Sequence, residues 1–83
     1  MEKSIHSARY VLFLKVLREA RLRAGLTQVQ LARKIGETQT FVSKCERGER
    51  RIDVIELRTF CRAFGMSLNQ FVSALEKAIR RAR

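Results

Sequence analysis

The sequence predicts an all-α fold of five helices. Apolar side chains recur at helical spacing along most of the chain, as in helices that bury one face. Proline, which would interrupt a helix, is absent. At three predicted helix starts a Thr, Asp or Ser is followed three residues later by Gln or Glu, the pattern of a capping box. No stretch has the alternation that predicts a strand.

Residues Ser7–Ala24 form the first predicted helix, which ends at Gly25. Its apolar face is assigned to four aliphatic residues at helical spacing: Val11, Leu14, Leu17 and Leu22. Tyr10 and Phe13 widen this stripe beyond one core face. The sequence leaves two roles open for them, since they can cover the C-terminal helix or meet a second subunit.

The next stretch predicts two short helices joined by a tight turn. Thr27 and Gln30 form a capping box at the start of the first, and Gly36 ends it in the left-handed conformation that glycine adopts without strain. Thr38 caps the second helix, predicted over residues 38–47. The apolar positions of the pair, among them an alanine small enough for a close helix crossing, are Leu31, Ala32, Ile35, Val42 and Cys45.

Two further helices complete the predicted core. Asp53 with Glu56, and Ser67 with Gln70, form their capping boxes, and Gly65 separates them. The inner faces are predicted to be Val54, Leu57, Phe60, Cys61 and Phe64 for the fourth helix, and Leu68, Phe71, Val72, Leu75 and Ile79 for the fifth.

Length and charge limit the class of protein. The 83 residues, 1–83, suit one domain with a core at about 9–79, a flexible start at Met1–Ile5 and a basic tail at Arg80–Arg83. The net charge of +10 points to nucleic acid or an anionic membrane as partner. No predicted helix pairs a wide exposed apolar face with an all-basic face, which argues against a membrane surface.

Catalysis and cofactor binding have no support in the sequence. His6 is the one histidine, and neither a Gly-rich phosphate loop nor a clustered carboxylate pattern is present. We therefore expect no enzyme activity, no cofactor and no small-molecule substrate. Cys45 and Cys61 lack metal-ligand spacing and are expected to be small buried residues in a reducing cytosol. Without a signal peptide or transmembrane run, the protein is expected to be soluble and cytoplasmic.

A longer pattern begins at Gln28. Counting from it, Ala, Gly and Val stand at positions five, nine and fifteen, and apolar residues at positions four, eight and eighteen. ERG at 46–48, a basic loop and DVIELRTFCRAFGMSLNQFV continue the pattern, which covers roughly residues 12–75. It resembles the helix-turn-helix domain of the lambdoid phage Cro and repressor proteins, the XRE family. The resemblance implies a five-helix lambda-repressor-like DNA-binding domain and a repressor-like transcription regulator.

The second motif helix has a polar outward face: Gln39, Thr40, Ser43, Lys44 and Arg47. The resemblance implies that Gln39, Thr40 and Lys44 contact bases in the major groove. Ser43 lies on the same outward face and is predicted to contact bases with them. Gln can pair with adenine, Lys with guanine acceptors and the Thr methyl with thymine. Two roles are open for Phe41, which can pack on a thymine methyl or fold back against the neighbouring helix.

Phosphate contacts are predicted around the same motif. Gln28 begins the first motif helix, whose free N–H groups favour an anion, and the resemblance gives it this role. The other predicted phosphate-contacting residues are Thr38, Arg47, Arg50 and Arg51. The resemblance also implies a partly buried structural ion pair between Arg21 and Glu46.

One such module reads few base pairs, so we expect a homodimer on near-palindromic double-stranded DNA. The candidate interface is the stripe of the last helix, Leu68, Phe71, Leu75 and Ile79, joined by Tyr10 and Phe13. The alternative is a monomer in which this stripe is core. Three other functions stay open: a DNA-binding antitoxin, a restriction-modification controller, and a protein–protein adaptor that does not need residues 39–44.

Overall fold

The computed structural model describes residues 7–82, which contain five α-helices and no strand. The helices are α1 (Ala8–Arg23), α2 (Gln28–Ile35), α3 (Gln39–Glu46), α4 (Val54–Phe64) and α5 (Leu68–Arg81). The predicted all-α class and the number of helices are confirmed. Predictions that concern Met1–Ile5, His6 and Arg83 lie outside the described residues.

Side-chain caps fix where each helix begins. Ser7, Thr27, Thr38, Asp53 and Ser67 each accept a hydrogen bond from a backbone N–H in the first turn of the helix that follows. The three predicted capping boxes are all formed, as in α2, where the Thr27 N–H donates to Gln30 Oε1 at 2.9 Å. At the end of α2, Gly36 has a φ of 73°, the left-handed conformation that turns the chain towards α3.

The helices pack around one apolar core. It consists of Phe13, Val16, Leu17, Leu31, Ala32, Val42, Cys45, Leu57, Phe60, Cys61 and Phe71. Both cysteines are free thiols in this core, as expected for small apolar residues. Burial raises the pKa of both thiols, that of Cys61 to about 11. Among residues 7–82 there is neither a helix long and apolar enough to cross a membrane nor a His, Cys, Asp and Glu cluster that could hold a metal ion.

The predicted apolar face of α1 is correct for two residues and wrong for two: Leu17 is fully buried and Leu14 packs against the core, but Val11 and Leu22 are each 55% exposed. The buried residues of this helix are Phe13, Val16, Leu17 and Arg21. The face turns because Phe13 packs edge-on against Phe71 of α5, with ring centroids 5.7 Å apart. Of the two roles left open for Phe13, the structure therefore supports covering the C-terminal helix.

Three other assignments in α4 and α5 also need correction. Val54 was expected in the core but is 61% exposed, since it is the first residue of α4 and lies beside the exposed cap Asp53. Val72 lies on the solvent side of α5 and is 43% exposed. Phe71 is fully buried within the chain, so it cannot contribute surface to a dimer interface.

Candidate nucleic-acid interface

Helices α2 and α3 form a compact pair with an exposed outer edge. Val42 and Cys45 turn inward from α3 and are fully buried, together with Leu31 and Ala32 of α2. The opposite side of α3 begins with Gln39 and Thr40, both exposed. The first turn of α3 therefore projects its polar side chains to solvent, which is the arrangement that a major groove accepts.

An ion pair beneath this edge joins α1 to the end of α3. Arg21 Nε donates to Glu46 Oε2 at 2.6 Å, and Nη2 donates to Oε1 at 3.1 Å. The third nitrogen, Nη1, donates to the Leu26 carbonyl at 2.9 Å. The side chains of Arg21 and Glu46 are only 9% and 5% exposed. The structure thus places the predicted partners in a buried, bidentate contact that holds α3 against α1.

Gln28 links this ion pair to the exposed edge. Its Nε2 donates to Glu46 Oε1 at 2.9 Å, and its Oε1 accepts from Gln39 Nε2 at 2.8 Å. The sequence predicts only a phosphate contact for Gln28 and neither of these two bonds. One signal was present, because Gln28 and Gln39 occupy the same place in two adjacent helices, each directly after a capping threonine. The result is a continuous chain of side chains from Arg21 to Gln39.

The other candidate base-contacting residues differ in exposure and in whether their side chains already make hydrogen bonds within the protein. Thr40 and Lys44 are exposed, and neither side chain makes a hydrogen bond within residues 7–82. Ser43 is half-buried, and its hydroxyl accepts a hydrogen bond from Arg47 Nη1. Gln39 keeps its Oε1 and one amide hydrogen for a base. Gln39, Thr40 and Lys44 are therefore the side chains best placed to meet a ligand.

Two of the predicted phosphate-contacting arginines already have carboxylate partners. Arg47 donates from Nε to Glu49 at 2.8 Å, and Arg50 donates from Nη2 to Glu56 at 2.8 Å. Each arginine lowers the pKa of its glutamate through this hydrogen bond. Arg51 is exposed and has its guanidinium 5.1 Å from the Tyr10 ring centroid. Thr38 is also exposed, and its hydroxyl accepts from the Phe41 N–H at 3.0 Å.

Phe41 folds back against the protein. Its ring centroid lies 6.4 Å from that of Phe60 in α4, and the Arg50 guanidinium covers the ring at 4.7 Å. Of the two roles that the sequence left open, packing against the neighbouring helix is the one observed. The side chain is half-buried and belongs to the support of α3 rather than to its exposed edge.

A projecting, polar helix held on a helix-turn-helix pair is the architecture of a DNA-binding regulator. The helix-turn-helix family model HTH_3 matches residues 17–71, which include α2, α3 and α4, the C-terminal part of α1 and the first turn of α5. The chain belongs to this family, the XRE-type helix-turn-helix proteins. No curated protein matches the chain.

Solved structures share the whole fold. An XRE-family like protein from Pseudomonas syringae pv. tomato str. DC3000 is 50% identical, with a TM-score of 0.80 over 89% of this chain and 90% of that one. The wild-type restriction-modification controller protein C.Esp1396I is 28% identical, with a TM-score of 0.83 over 92% of this chain and 99% of that one. The clp gene regulator ClgR from Corynebacterium glutamicum, 22% identical, shares the fold, with a TM-score of 0.76 over 92% of this chain and 82% of that one.

Proposed function

We propose that the protein is a sequence-specific transcription regulator of repressor type that reads double-stranded DNA with the helix at residues 38–47. The observation that carries this proposal is the exposed set Gln39, Thr40 and Lys44 on a helix that a buried ion pair anchors. Anchoring matters because base discrimination needs a side chain held in one orientation, and a bidentate contact contributes about 1–3 kcal/mol of discrimination. Ser43 has a lesser part, since it already bonds Arg47.

Phosphate contacts would position this helix on the duplex. We propose Gln28, Thr38, Arg47 and Arg51 for this role, on the two sides of the exposed edge. Thr38 retains its own hydroxyl hydrogen, and Gln28 retains one amide hydrogen, so each can donate to a phosphate oxygen. Arg47 would exchange Glu49 for phosphate, and the exposed position of this ion pair makes the exchange inexpensive. The net charge of +10 supports a polyanionic partner.

We propose that two copies bind DNA together, because one module of this size contacts few base pairs. The candidate interface is an apolar groove of about 400 Å³ where α1, α4 and α5 meet. Its apolar lining is Tyr10, Phe13, Ile52, Val54, Leu57, Leu75 and Ile79. The proposed interface shares Leu75 and Ile79 with the stripe predicted from the sequence. It excludes Phe71, which is buried, and includes Val54, which is exposed. Leu68 lines a different groove, between α4 and the start of α5.

A restriction-modification controller is a second candidate. The match with the controller C.Esp1396I covers 99% of that chain and 92% of this one, so the shared fold extends over nearly all of both chains. This role involves the same DNA contacts and differs in the genes that are controlled. Either regulator would work without catalysis and would act in the cytoplasm.

Selection of duplexes from a random pool tests the proposal. We expect enrichment of an inverted repeat whose half-sites lie about one helical turn apart. Rebinding across a salt series should show affinity that falls steeply with salt. Gln39→Ala should relax the preference at one base position in each half-site, whereas Arg51→Ala should weaken all sequences equally. A pool that yields no enriched sequence would contradict the proposal and favour a protein–protein adaptor.

A further inference from the structure

Arg50 lies in the loop between α3, the proposed recognition helix, and α4. Its Nη1 donates to Glu56 Oε1 at 3.0 Å and to the Arg51 carbonyl at 2.9 Å, and its Nη2 donates to Glu56 Oε2 at 2.8 Å. The guanidinium also stacks over the Phe41 ring at 4.7 Å. One side chain therefore contacts the first turn of α3 through Phe41 and the first turn of α4 through Glu56.

Glu56 and the loop backbone hold Arg50 in place. Glu56 Oε1 also accepts from the Asp53 N–H at 3.0 Å, so the carboxylate that binds Arg50 is fixed by the capping box of α4. On the other side, the backbone N–H groups of Glu49 and Arg50 donate to the Lys44 carbonyl at 2.9 and 3.3 Å. With its backbone and its guanidinium both held, Arg50 has a defined position without any ligand.

Phe41 connects this arrangement to the bases. It lies in the first turn of α3, directly after Thr40, and its ring packs on Phe60 on one side and under Arg50 on the other. The tilt of this turn decides how far Gln39 and Thr40 reach. A planar guanidinium suits the site because it stacks on the ring and binds the carboxylate in a bidentate manner at the same time.

We propose that Arg50 is a positioning residue that sets the orientation of the recognition helix through Phe41, rather than a phosphate contact. This inference rests on the proposed DNA-binding function. It separates Arg50 from Arg47, whose ion pair with Glu49 involves no side chain of another helix.

Removing the charge of Glu56 tests whether Arg50 contacts phosphate or positions α3. The two roles predict opposite changes in DNA affinity for Glu56→Gln. If Arg50 grips phosphate, Glu56→Gln frees it and removes a nearby anion, so DNA binding becomes tighter. If Arg50 positions α3, Glu56→Gln loosens it, so binding weakens and base preference relaxes. Gln is suited to this test because it serves as well as Glu at the third position of a capping box and leaves the start of α4 intact.

The experiment measures operator affinity, base preference and salt dependence for Glu56→Gln, with Glu49→Gln as the matched control at the other Arg–Glu pair. We expect Glu56→Gln to lose about threefold to tenfold in operator affinity, in the range of coupled neighbouring residues, and to relax the preference at the base positions of Gln39 and Thr40. Its salt slope should equal that of the wild type. Glu49→Gln should keep the wild-type base preference.

Phe41→Leu provides a second variant, because it keeps an apolar side chain but removes the ring that Arg50 covers. It should relax the same base positions as Glu56→Gln, while far-UV circular dichroism shows a folded protein. Tighter binding by Glu56→Gln, or a salt slope that falls by about one unit in Arg50→Ala, would overturn the inference and leave the DNA-binding proposal standing. A wild-type protein that shows no base preference would overturn both the inference about Arg50 and the proposal of sequence-specific DNA binding.

Discussion

The amide oxygen of Gln28 accepts a hydrogen bond of 2.8 Å from the amide nitrogen of Gln39. The other end of the Gln28 amide donates to Glu46, which is held by Arg21. A side chain proposed to contact a base is thus oriented by a buried ion pair through one intermediate residue. This arrangement fixes which way the Gln39 amide faces, and a fixed amide is needed to distinguish donor from acceptor on a base edge.

Replacing Gln28 with alanine should therefore affect sequence reading as well as affinity. We expect Gln28→Ala to relax the base preference at the position that Gln39 contacts, because Gln39 loses the partner that orients its amide. Selection of DNA from a pool randomised at one half-site measures the effect. A double-mutant cycle with Gln39→Ala should give a coupling of about 0.5–3 kcal/mol. Additive losses would mean that the two glutamines act independently.

The ion pair of Arg21 and Glu46 should contribute mainly to stability. Glu46→Ala leaves Arg21 buried without its carboxylate partner, so we expect the free energy of unfolding to fall by about 3–5 kcal/mol. Urea unfolding followed by circular dichroism measures this change. Glu49→Ala is the matched control, since it breaks an exposed pair and should leave the unfolding midpoint close to that of the wild type. Equal midpoints for Glu46→Ala and the wild type would refute the prediction.

Local signals in the sequence predicted the helices, and tertiary packing decided the rest. The caps at Thr27, Asp53 and Ser67 act within one turn, so their residues alone placed the helix starts. The phase of α1 depends instead on Phe71, which lies far along the chain and draws Phe13 inward. Because Val11 is as apolar as the core residues, helical spacing could not show that it faces solvent.

In the candidate site, too, local sequence signals predicted one part and tertiary packing decided the other. Spacing from Gln28 placed the exposed residues of α3, but the partners of the charged side chains come from other parts of the chain. The pairing of Arg50 with Glu56 brings together residues from the loop and from α4, and the guanidinium also lies over the ring of Phe41 in α3. Sequence spacing alone does not distinguish an arginine that pairs within the protein from one that faces solvent. The side-chain contacts in the structure make this distinction.

The proposed dimer predicts a change in association without a change in fold. Val54→Glu places a charge at the apolar groove, and because Val54 is 61% exposed the monomer should tolerate it. Sedimentation velocity at tens of micromolar protein should show a dimer for the wild type and a monomer for the variant. Leu22→Glu is the matched control, at a residue 55% exposed outside the groove, and it should stay dimeric. A monomeric wild type, with and without operator DNA, would reject the dimer.

The buried thiol of Cys61 should make the protein less stable in alkali. Burial raises its pKa from 9.0 to about 11, so between these values the unfolded thiol loses its proton while the folded thiol keeps it. The unfolded state is therefore favoured as the pH rises through this range, and well below pH 9 the effect is absent. Urea unfolding across this range should show a smaller loss of stability in Cys61→Ala than in the wild type, because all other titrating groups are shared. Parallel curves for the two proteins would show that this thiol does not cause the alkaline loss.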